Sequence, residues 1–212
     1  MAQLRMTKKR LAILLSKVPV FEAPKVKLEQ YPTDSEVASD VLWRAHELGD
    51  IQGKVCADLG CGTGILGIGL LFMGAKEVYF VEVDGVALQQ TRRQVEMFQS
   101  EGIRDLGRAH FLQADVQDMK IQVDLAVQNP PFGVKVRHQD RKFLTKSFEI
   151  AEKAYTLAKS ESEEFINRFS AQHGFSATHV WRYQFPLKKS MAHHKSRIIR
   201  TKVSCLRLVR SH

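Results

Sequence analysis

The sequence is poor in cysteine, lacks a long hydrophobic run and has no acidic residue after Glu164. Its three cysteines, Cys56, Cys61 and Cys205, show no paired spacing, which indicates free thiols and a reducing, cytoplasmic compartment. No apolar run approaches the roughly 18 to 20 residues that a membrane helix needs. The short run at 11–15 follows three basic residues, but it lacks the apolar length and the cleavage site of a signal peptide. We therefore expect neither a membrane span nor a secreted protein.

The absence of acids near the C-terminus makes the charge distribution uneven. The net charge is +9 over 212 residues, yet the first 164 residues hold 22 basic and 23 acidic side chains. The surplus lies between Phe165 and His212, which contain ten Lys and Arg and no Asp or Glu. Such a patch attracts polyanions, above all nucleic acid, in a salt-dependent way. A merely solvated basic face is the alternative, and the catalytic motifs below favour RNA or DNA.

Hydrophobic periodicity predicts an N-terminal helical part followed by alternating strands and helices. One helix is expected over 4–18 and another from about 33 to 48, joined by an irregular linker over 19–33, and either Thr33 or Asp34 would cap the second helix. The predicted strands are 54–60, 77–84, 109–115, 123–129, 177–187 and 200–210, and the other predicted helices are 65–74, 86–102, 143–159 and 161–173.

This alternation predicts an α/β, Rossmann-like fold. Its sheet would be mostly parallel and flanked by helices, with an antiparallel hairpin at the C-terminal edge because a loop rather than a helix joins the last two strands. The length suits one structural domain overall. Residues 1–53 would form an N-terminal helical extension that contributes to the site, and residues 54–212 the core with its basic C-terminal hairpin.

A glycine-rich turn, "DLGCGTGILG" over 58–67, follows the first predicted strand of the core. Gly62, Gly64 and Gly67 have the spacing of a dinucleotide-binding turn, which would indicate a nicotinamide cofactor. Asp58 at the strand end and the G-x-G-x-G run that starts at Gly60 favour another ligand. They resemble motif I of the class I methyltransferases, whose cofactor is S-adenosylmethionine.

Acidic residues follow the next two strands as well. Ligands of open α/β sheets lie outside the carboxyl ends of the strands. Glu82 is therefore placed to accept hydrogen bonds from both ribose hydroxyls, and Asp115 resembles the acid that receives the adenine amino group, with Val116 packing nearby. Asp84 is expected to cap a helix instead. Three acids at three strand ends favour S-adenosylmethionine over a nicotinamide.

The fourth strand of the core ends in "NPPF", from Asn129 to Phe132. This resembles motif IV of methyltransferases that act on amino groups attached to a planar sp² carbon. The Asn129 side-chain oxygen and the Pro130 carbonyl would accept hydrogen bonds from the amine and stabilise positive charge on it. Pro131 would restrain Pro130 to extended conformations, and Phe132 would stack on a flat base. These four residues are the predicted catalytic residues.

Four stretches together resemble the methyltransferase-like protein five family, which methylates adenosine N6 in small-subunit ribosomal RNA. They are "FEAPKVKLEQYPT" (21–33), "ADLGCGTG" (57–64), "NPPFG" (129–133) and "HHK" (193–195), and the resemblance covers nearly the whole chain. The resemblance implies that Gln30 and Thr33 reach the cofactor. With motif I and the strand ends, the predicted cofactor-binding residues are Gln30, Thr33, Asp58, Gly60, Gly62, Thr63, Gly64, Ile65, Glu82, Asp115, Val116 and Asn129.

The resemblance also implies an RNA substrate and a small zinc-binding activator protein that pairs with the sheet to form a heterodimer. No metal site is predicted within this chain, because the cysteines are scattered. Basic residues near the pocket mouth are expected to hold phosphates, with Lys142 closing one side. The predicted RNA-binding residues are Lys135, Arg137, Lys188, Lys189, His193, His194, Lys195, Arg197 and Arg200.

Two other functions stay open at the level of sequence. Motif IV does not separate adenine N6 from guanine N2 or from the amide of glutamine, so a protein glutamine-N5 methyltransferase is one alternative. A catalytically silent RNA-binding assembly factor that kept the fold is the other.

Overall fold

A computed structural model describes residues 6–22, 24–25, 28–101, 106–131, 139–188 and 198–211. Within these residues the helices are α1 (Lys8–Leu15), α2 (Ser35–Glu47), α3 (Ile65–Phe72), α4 (Gly85–Ser100), α5 (Gln139–Ile150) and α6 (Glu163–Gln172). The strands are β1 (Val55–Leu59), β2 (Glu77–Glu82), β3 (Arg108–Gln113), β4 (Val123–Gln128), β5 (Ala151–Lys159), β6 (Phe175–Lys188) and β7 (Ile198–Arg210). No helix in this part of the chain is both long and apolar enough to cross a bilayer.

The strands form one sheet in the order β3-β2-β1-β4-β5-β7-β6. The first five strands of this order run parallel, and β7 is antiparallel to both β5 and β6. The predicted mostly parallel α/β sheet with an antiparallel hairpin at one edge is thus confirmed. Because β1, β2, β3 and β4 are parallel, their carboxyl ends meet at one edge of the sheet.

The predicted helix over 143–159 is wrong in its second half. The helix ends at Ile150, and residues 151–159 form β5, which lies between β4 and β7. The segment "AEKAYTLAK" is rich in residues that favour a helix, but such propensities amount to only a few tenths of a kcal/mol per residue. Pairing with a strand on each side and burial of Ala154, Tyr155 and Leu157 outweigh them.

The N-terminal helices pack into the same core as the sheet. Leu11 and Leu15 of α1 and Leu42 of α2 are fully buried in a cluster that also contains Phe80 of β2. Asp34 is the N-cap of α2, where its carboxylate accepts hydrogen bonds from the amides of Glu36 and Val37. Of the two predicted caps the structure uses Asp34, which leaves the Thr33 hydroxyl available for another contact.

The β6–β7 hairpin is longer than the sheet that supports it. Lys159, the last residue of β5, pairs with Val203, which in turn pairs with Tyr183. Residues 184–188 and 198–202 continue beyond this point as a hairpin arm. Five residues of strand span about 17 Å at 3.3 Å per residue. The arm therefore projects from the edge where the parallel strands end.

Candidate active site

A cavity of about 240 Å³ opens at the carboxyl ends of the parallel strands, and residues from the N-terminal linker and from α5 complete its wall. The predicted site residues that line it are Gln30, Thr33, Asp58, Gly60, Gly62, Thr63, Ile65, Glu82, Asp115, Val116, Asn129 and Pro131. Two other predicted residues, Gly64 and Pro130, adjoin lining residues in the chain without lining the cavity themselves. The structure thus brings together groups that are up to 101 positions apart in the sequence.

The glycine turn makes one wall of the cavity. Gly60, Gly62 and Gly64 have φ values of 67°, 55° and 82°, in the left-handed region that favours glycine. The space above two of them is filled by aromatic rings, because a Cβ on Gly60 would lie 2.8 Å from Phe143 and one on Gly62 would lie 2.7 Å from Phe21. Glycine is therefore required here both for the backbone turn and for close approach.

Two buried carboxylates hold this turn. Asp58 accepts a hydrogen bond from the Gly67 amide at 2.8 Å, and Glu82 accepts one from the Gly62 amide and one from the Asp84 amide, each at 2.9 Å. Burial raises the pKa of Asp58 to about 7 against the hydrogen bond from Gly67, and the nearby Glu82 carboxylate adds to the rise. Burial also raises the pKa of Glu82 above its ordinary value. A cationic or hydroxyl-rich ligand would relieve both groups.

The carboxylates of Asp84 and Asp115 each have a lysine partner. Asp84 caps α4, as predicted, and also accepts hydrogen bonds from the Lys25 ammonium at 2.8 Å and from the Gln30 amide at 3.0 Å. Asp115 forms an ion pair with Lys142. Although burial opposes it, the hydrogen bond from Lys142 holds the pKa of Asp115 below its ordinary value. Lys142, expected at the RNA side of the pocket, thus belongs to the cavity wall.

Asn129 lies where β4 ends, next to the N-terminal linker. Its Nδ2 donates to the Thr33 hydroxyl oxygen at 2.9 Å, so the linker is attached to motif IV by a side-chain hydrogen bond. Its Oδ1 is buried and accepts no hydrogen bond from the described residues. An unpaired buried oxygen costs about 1–3 kcal/mol, which is tolerated most readily where a ligand supplies the donor.

Sequence reasoning missed ten residues that line the cavity, among them Phe21, Tyr31, Val83 and Phe143. Phe21 and Tyr31 lie within the stretch 21–33, but nothing in their own pattern indicates a role. Val83 follows the strand that ends at Glu82 and is 53% exposed, which is unusual for a valine beside a buried strand. Position relative to a strand end is the one signal that could have found it.

Part of the predicted site lies outside the described residues, namely Phe132, Lys135, Arg137, Lys189, His193, His194, Lys195 and Arg197. Lys188 and Arg200 are described through their backbone and pair with Ile198 and Pro186 in the hairpin arm. In the part of the chain that the structure covers, no three His, Cys, Asp or Glu side chains are grouped to hold a metal ion.

Comparisons with known proteins agree with this geometry. The model of the Methyltransferase small domain family matches residues 34–160. The rRNA N(6)-adenosine-methyltransferase Mettl5 of Drosophila melanogaster is 33% identical over 202 residues, covering 93% of this chain and 92% of its own length. METTL5 of Danio rerio, of the same name and activity, is 32% identical over 94% of this chain and 97% of its own.

A solved structure is also similar over the full chain. The crystal structure of a Pyrococcus horikoshii protein described as a candidate RNA methyltransferase has a TM-score of 0.88 and 40% sequence identity, and the match covers 99% of this chain and 100% of that one. The chain therefore belongs to the Methyltransferase small domain family and, within it, to the group that contains the rRNA N(6)-adenosine-methyltransferases Mettl5 and METTL5.

Proposed function

We propose that this chain transfers a methyl group from S-adenosylmethionine to the N6 atom of an adenosine in small-subunit ribosomal RNA. The observation that supports this most is the Asn129 amide. Its oxygen has no donor among the described residues, and Asn129 lines a cavity that Asp58, Glu82 and Asp115 also line. An acceptor in that position suits an exocyclic amine. The activity of the Mettl5 relatives supports the choice of RNA adenosine.

The lining groups match the chemistry of the cofactor from one end to the other. The buried Asp58 carboxylate suits the ammonium group, and Glu82, whose two oxygens each accept one backbone bond, has lone pairs left for a ribose diol. Asp115 suits the adenine amino group, with the half-exposed Val83 against the base. S-adenosylmethionine supplies a methyl group made electrophilic by its sulfonium.

The residues of motif IV act on the amine. The N6 lone pair is delocalised into the adenine ring, so the nitrogen is a weak nucleophile until its two N–H bonds are directed at fixed acceptors. Asn129 Oδ1 and the Pro130 carbonyl serve as these acceptors and stabilise the positive charge that develops on N6 as the N–C bond forms. Prolines have no backbone N–H. Neither Pro130 nor Pro131 therefore offers a backbone donor that would compete for the Pro130 carbonyl. Phe132 stacks on the base.

The RNA is held on the side of the hairpin arm. An adenosine in folded RNA must leave its stack to enter the pocket, and phosphate contacts hold the flanking backbone meanwhile. The arm projects from the same edge as the cavity and belongs to the segment 165–212, which contains no acid. We assign the phosphate contacts to Lys188 and Arg200 in the arm and to the basic residues predicted between them.

A small zinc-binding activator protein is proposed as a partner. Within the described residues β3 pairs with β2 alone, so its other side offers main-chain groups to a further strand. Phe111 and Leu112 of this strand are half-buried. Purifying the chain alone tests the dependence: full activity as a monomer would count against an activator.

The experiment for the proposed reaction follows a labelled methyl group from S-adenosylmethionine into a mixture of total ribosomal RNA and protein. We expect label in N6-methyladenosine after nucleoside analysis. A Glu82→Ala variant is the matched control. It should transfer no label because its cofactor binding is weakened, while the RNA in the assay stays the same. Label found only in the protein fraction would favour the glutamine methyltransferase, and no cofactor binding at all would favour the silent assembly factor.

A further inference from the structure

We propose that Asp84 is a positioning residue, which holds part of the N-terminal linker at the cofactor site and ties it to Glu82. The inference rests on the proposed function and deepens it on the side of the cofactor. Asp84 lies two residues after Glu82 and is only 5% exposed. It adjoins the cavity without being part of the described wall, so we expect it to act on a bound cofactor through the residues that it holds.

The linker forms a large share of the cavity wall. It contributes Phe21 and the run from Leu28 to Thr33. Within that run Glu29 has a φ of 48°, a left-handed conformation that is uncommon for a residue with a Cβ. Such a conformation persists where the surrounding structure fixes it. The position of this part of the linker is therefore set by contacts with the rest of the molecule.

Two hydrogen bonds fix the Gln30 amide in one orientation. Its Nε2 donates to Asp84 Oδ2 at 3.0 Å, and its Oε1 accepts from the Lys25 backbone amide at 2.7 Å. The Lys25 ammonium donates to Asp84 Oδ1 at 2.8 Å, so Asp84 holds both linker residues. Although burial opposes it, the hydrogen bonds from Lys25 and Gln30 hold the pKa of Asp84 below its ordinary value. Because an ionised carboxylate only accepts and a backbone amide only donates, the Gln30 amide cannot turn over without losing both contacts.

Asp84 also contacts the acid that is assigned to the ribose. Its backbone amide donates to Glu82 Oε1 at 2.9 Å, while Glu82 Oε2 accepts from the Gly62 amide. One residue therefore joins the ribose acid to the linker that lines the same cavity. Groups that are held in place before a ligand arrives bind it with less loss of conformational freedom. After these contacts the Gln30 amide still has one N–H and one acceptor site for a ligand.

The first experiment measures the Kd of S-adenosylhomocysteine by titration calorimetry for the wild type, Asp84→Asn and Gln30→Glu. Asparagine caps a helix as well as aspartate does, so Asp84→Asn keeps the start of α4. It places an NH2 group against the Gln30 NH2 group, whereas Gln30→Glu places two carboxylates against each other. In Asp84→Asn, turning over either amide only moves the mismatch to Lys25. We expect Kd to rise about tenfold in each variant, because a ligand that binds only the held linker loses affinity with the fraction of protein that holds it.

The second experiment combines the two changes in one protein. The asparagine NH2 group at position 84 then donates to the glutamate carboxylate at position 30, whose other oxygen still accepts from the Lys25 amide. The net charge is that of the wild type. We expect Kd to return to within about threefold of the wild-type value, which appears as a coupling in the double-mutant cycle. A double variant that binds no more tightly than the single variants would overturn the inference.

Other roles for these residues give different results. If Asp84 only stabilised the fold, the single variants would melt at a lower temperature with Kd within about twofold of wild type, which would overturn the inference. If Gln30 acted on the cofactor independently of Asp84, the two losses would add to about 100-fold in the double variant, which would overturn it as well. A wild type that binds S-adenosylhomocysteine but forms no N6-methyladenosine would refute the proposed function, while the Kd values would still decide the role of Asp84.

Discussion

Asp58 provides a prediction about pH that requires no RNA. Its carboxyl is completely buried, accepts one hydrogen bond from the Gly67 amide, and has a pKa raised to about 7. In the proposed complex it faces the ammonium group of the cofactor, which binds the ionised form. Cofactor affinity should therefore rise with pH as the empty site loses this proton.

The magnitude follows from the ionised fraction. With a pKa of about 7, roughly a tenth of the sites are ionised at pH 6 and roughly three quarters at pH 7.5, so the association constant should rise about eightfold. Titration calorimetry with S-adenosylhomocysteine at these two pH values measures it. The range stops at pH 7.5 because an α-amino group itself begins to lose its proton near pH 8.

Two variants identify the group that titrates. Asp58→Asn should bind the cofactor more weakly and with little dependence on pH, whereas Glu82→Gln should bind more weakly and keep the dependence. This reasoning would be refuted if the wild type bound the cofactor equally well at pH 6 and pH 7.5. It would also be refuted if Glu82→Gln removed the pH dependence and Asp58→Asn retained it.

The same carboxyl affects stability in the opposite direction. Because the pKa of Asp58 is higher in the folded than in the unfolded chain, the folded state holds the proton more tightly. The stability that this proton contributes is lost as pH rises from about 4 to about 7. Between pH 5 and pH 8 the loss is about 2–3 kcal/mol for the empty protein. Asp58→Asn should therefore become more stable than the wild type toward pH 8, which thermal unfolding at both pH values measures.

Three further predictions concern other parts of the molecule. Asp50→Ala should lower the free energy of unfolding by about 3–5 kcal/mol in denaturant titrations, with cofactor affinity unchanged, because the buried Asp50 carboxylate is the shared partner of Lys153 and Arg207. Gly62→Ala should weaken cofactor binding at least about tenfold in calorimetry, because its φ is 55° and its Cβ would lie 2.7 Å from Phe21. Each of Lys188→Ala and Arg200→Ala should reduce the salt dependence of RNA binding by about one unit of log–log slope, in filter-binding or anisotropy titrations, without changing cofactor affinity. The first assignment would be contradicted by a stability within about 1 kcal/mol of wild type for Asp50→Ala. The other two would be contradicted by full cofactor affinity for Gly62→Ala and by an unchanged salt slope for Lys188→Ala and Arg200→Ala.

The order of elements in the core could be predicted because periodicity and strand-end residues are local properties. The glycine turn, Glu82 and Asp115 all follow strands that local pattern identifies, and the parallel sheet then brings them to one edge. The strand at 151–159 could not be predicted in the same way. Its helix-forming composition is overruled by partners on both sides that come from β4 and from β7, about 30 and 50 positions away along the chain.

The N-terminal part of the site shows a different limit. Gln30 and Thr33 were expected there through family resemblance, and their own pattern indicates only a linker and a helix cap. What places them is the docking of α1 and α2 against the core, which no short-range pattern encodes. The hydrogen bond between Thr33 and Asn129 joins residues 96 positions apart and becomes visible only in three dimensions.

The central claim is that the oxygen of Asn129 accepts a hydrogen bond from the substrate amine during methyl transfer. The most direct measurement is kcat for N6-methyladenosine formation in total ribosomal RNA, by nucleoside analysis, for the wild type and for Asn129→Ala at saturating cofactor. Loss of one such preorganised interaction should lower kcat by about 100- to 1,000-fold. An Asn129→Ala protein that forms N6-methyladenosine at the wild-type rate would contradict the account.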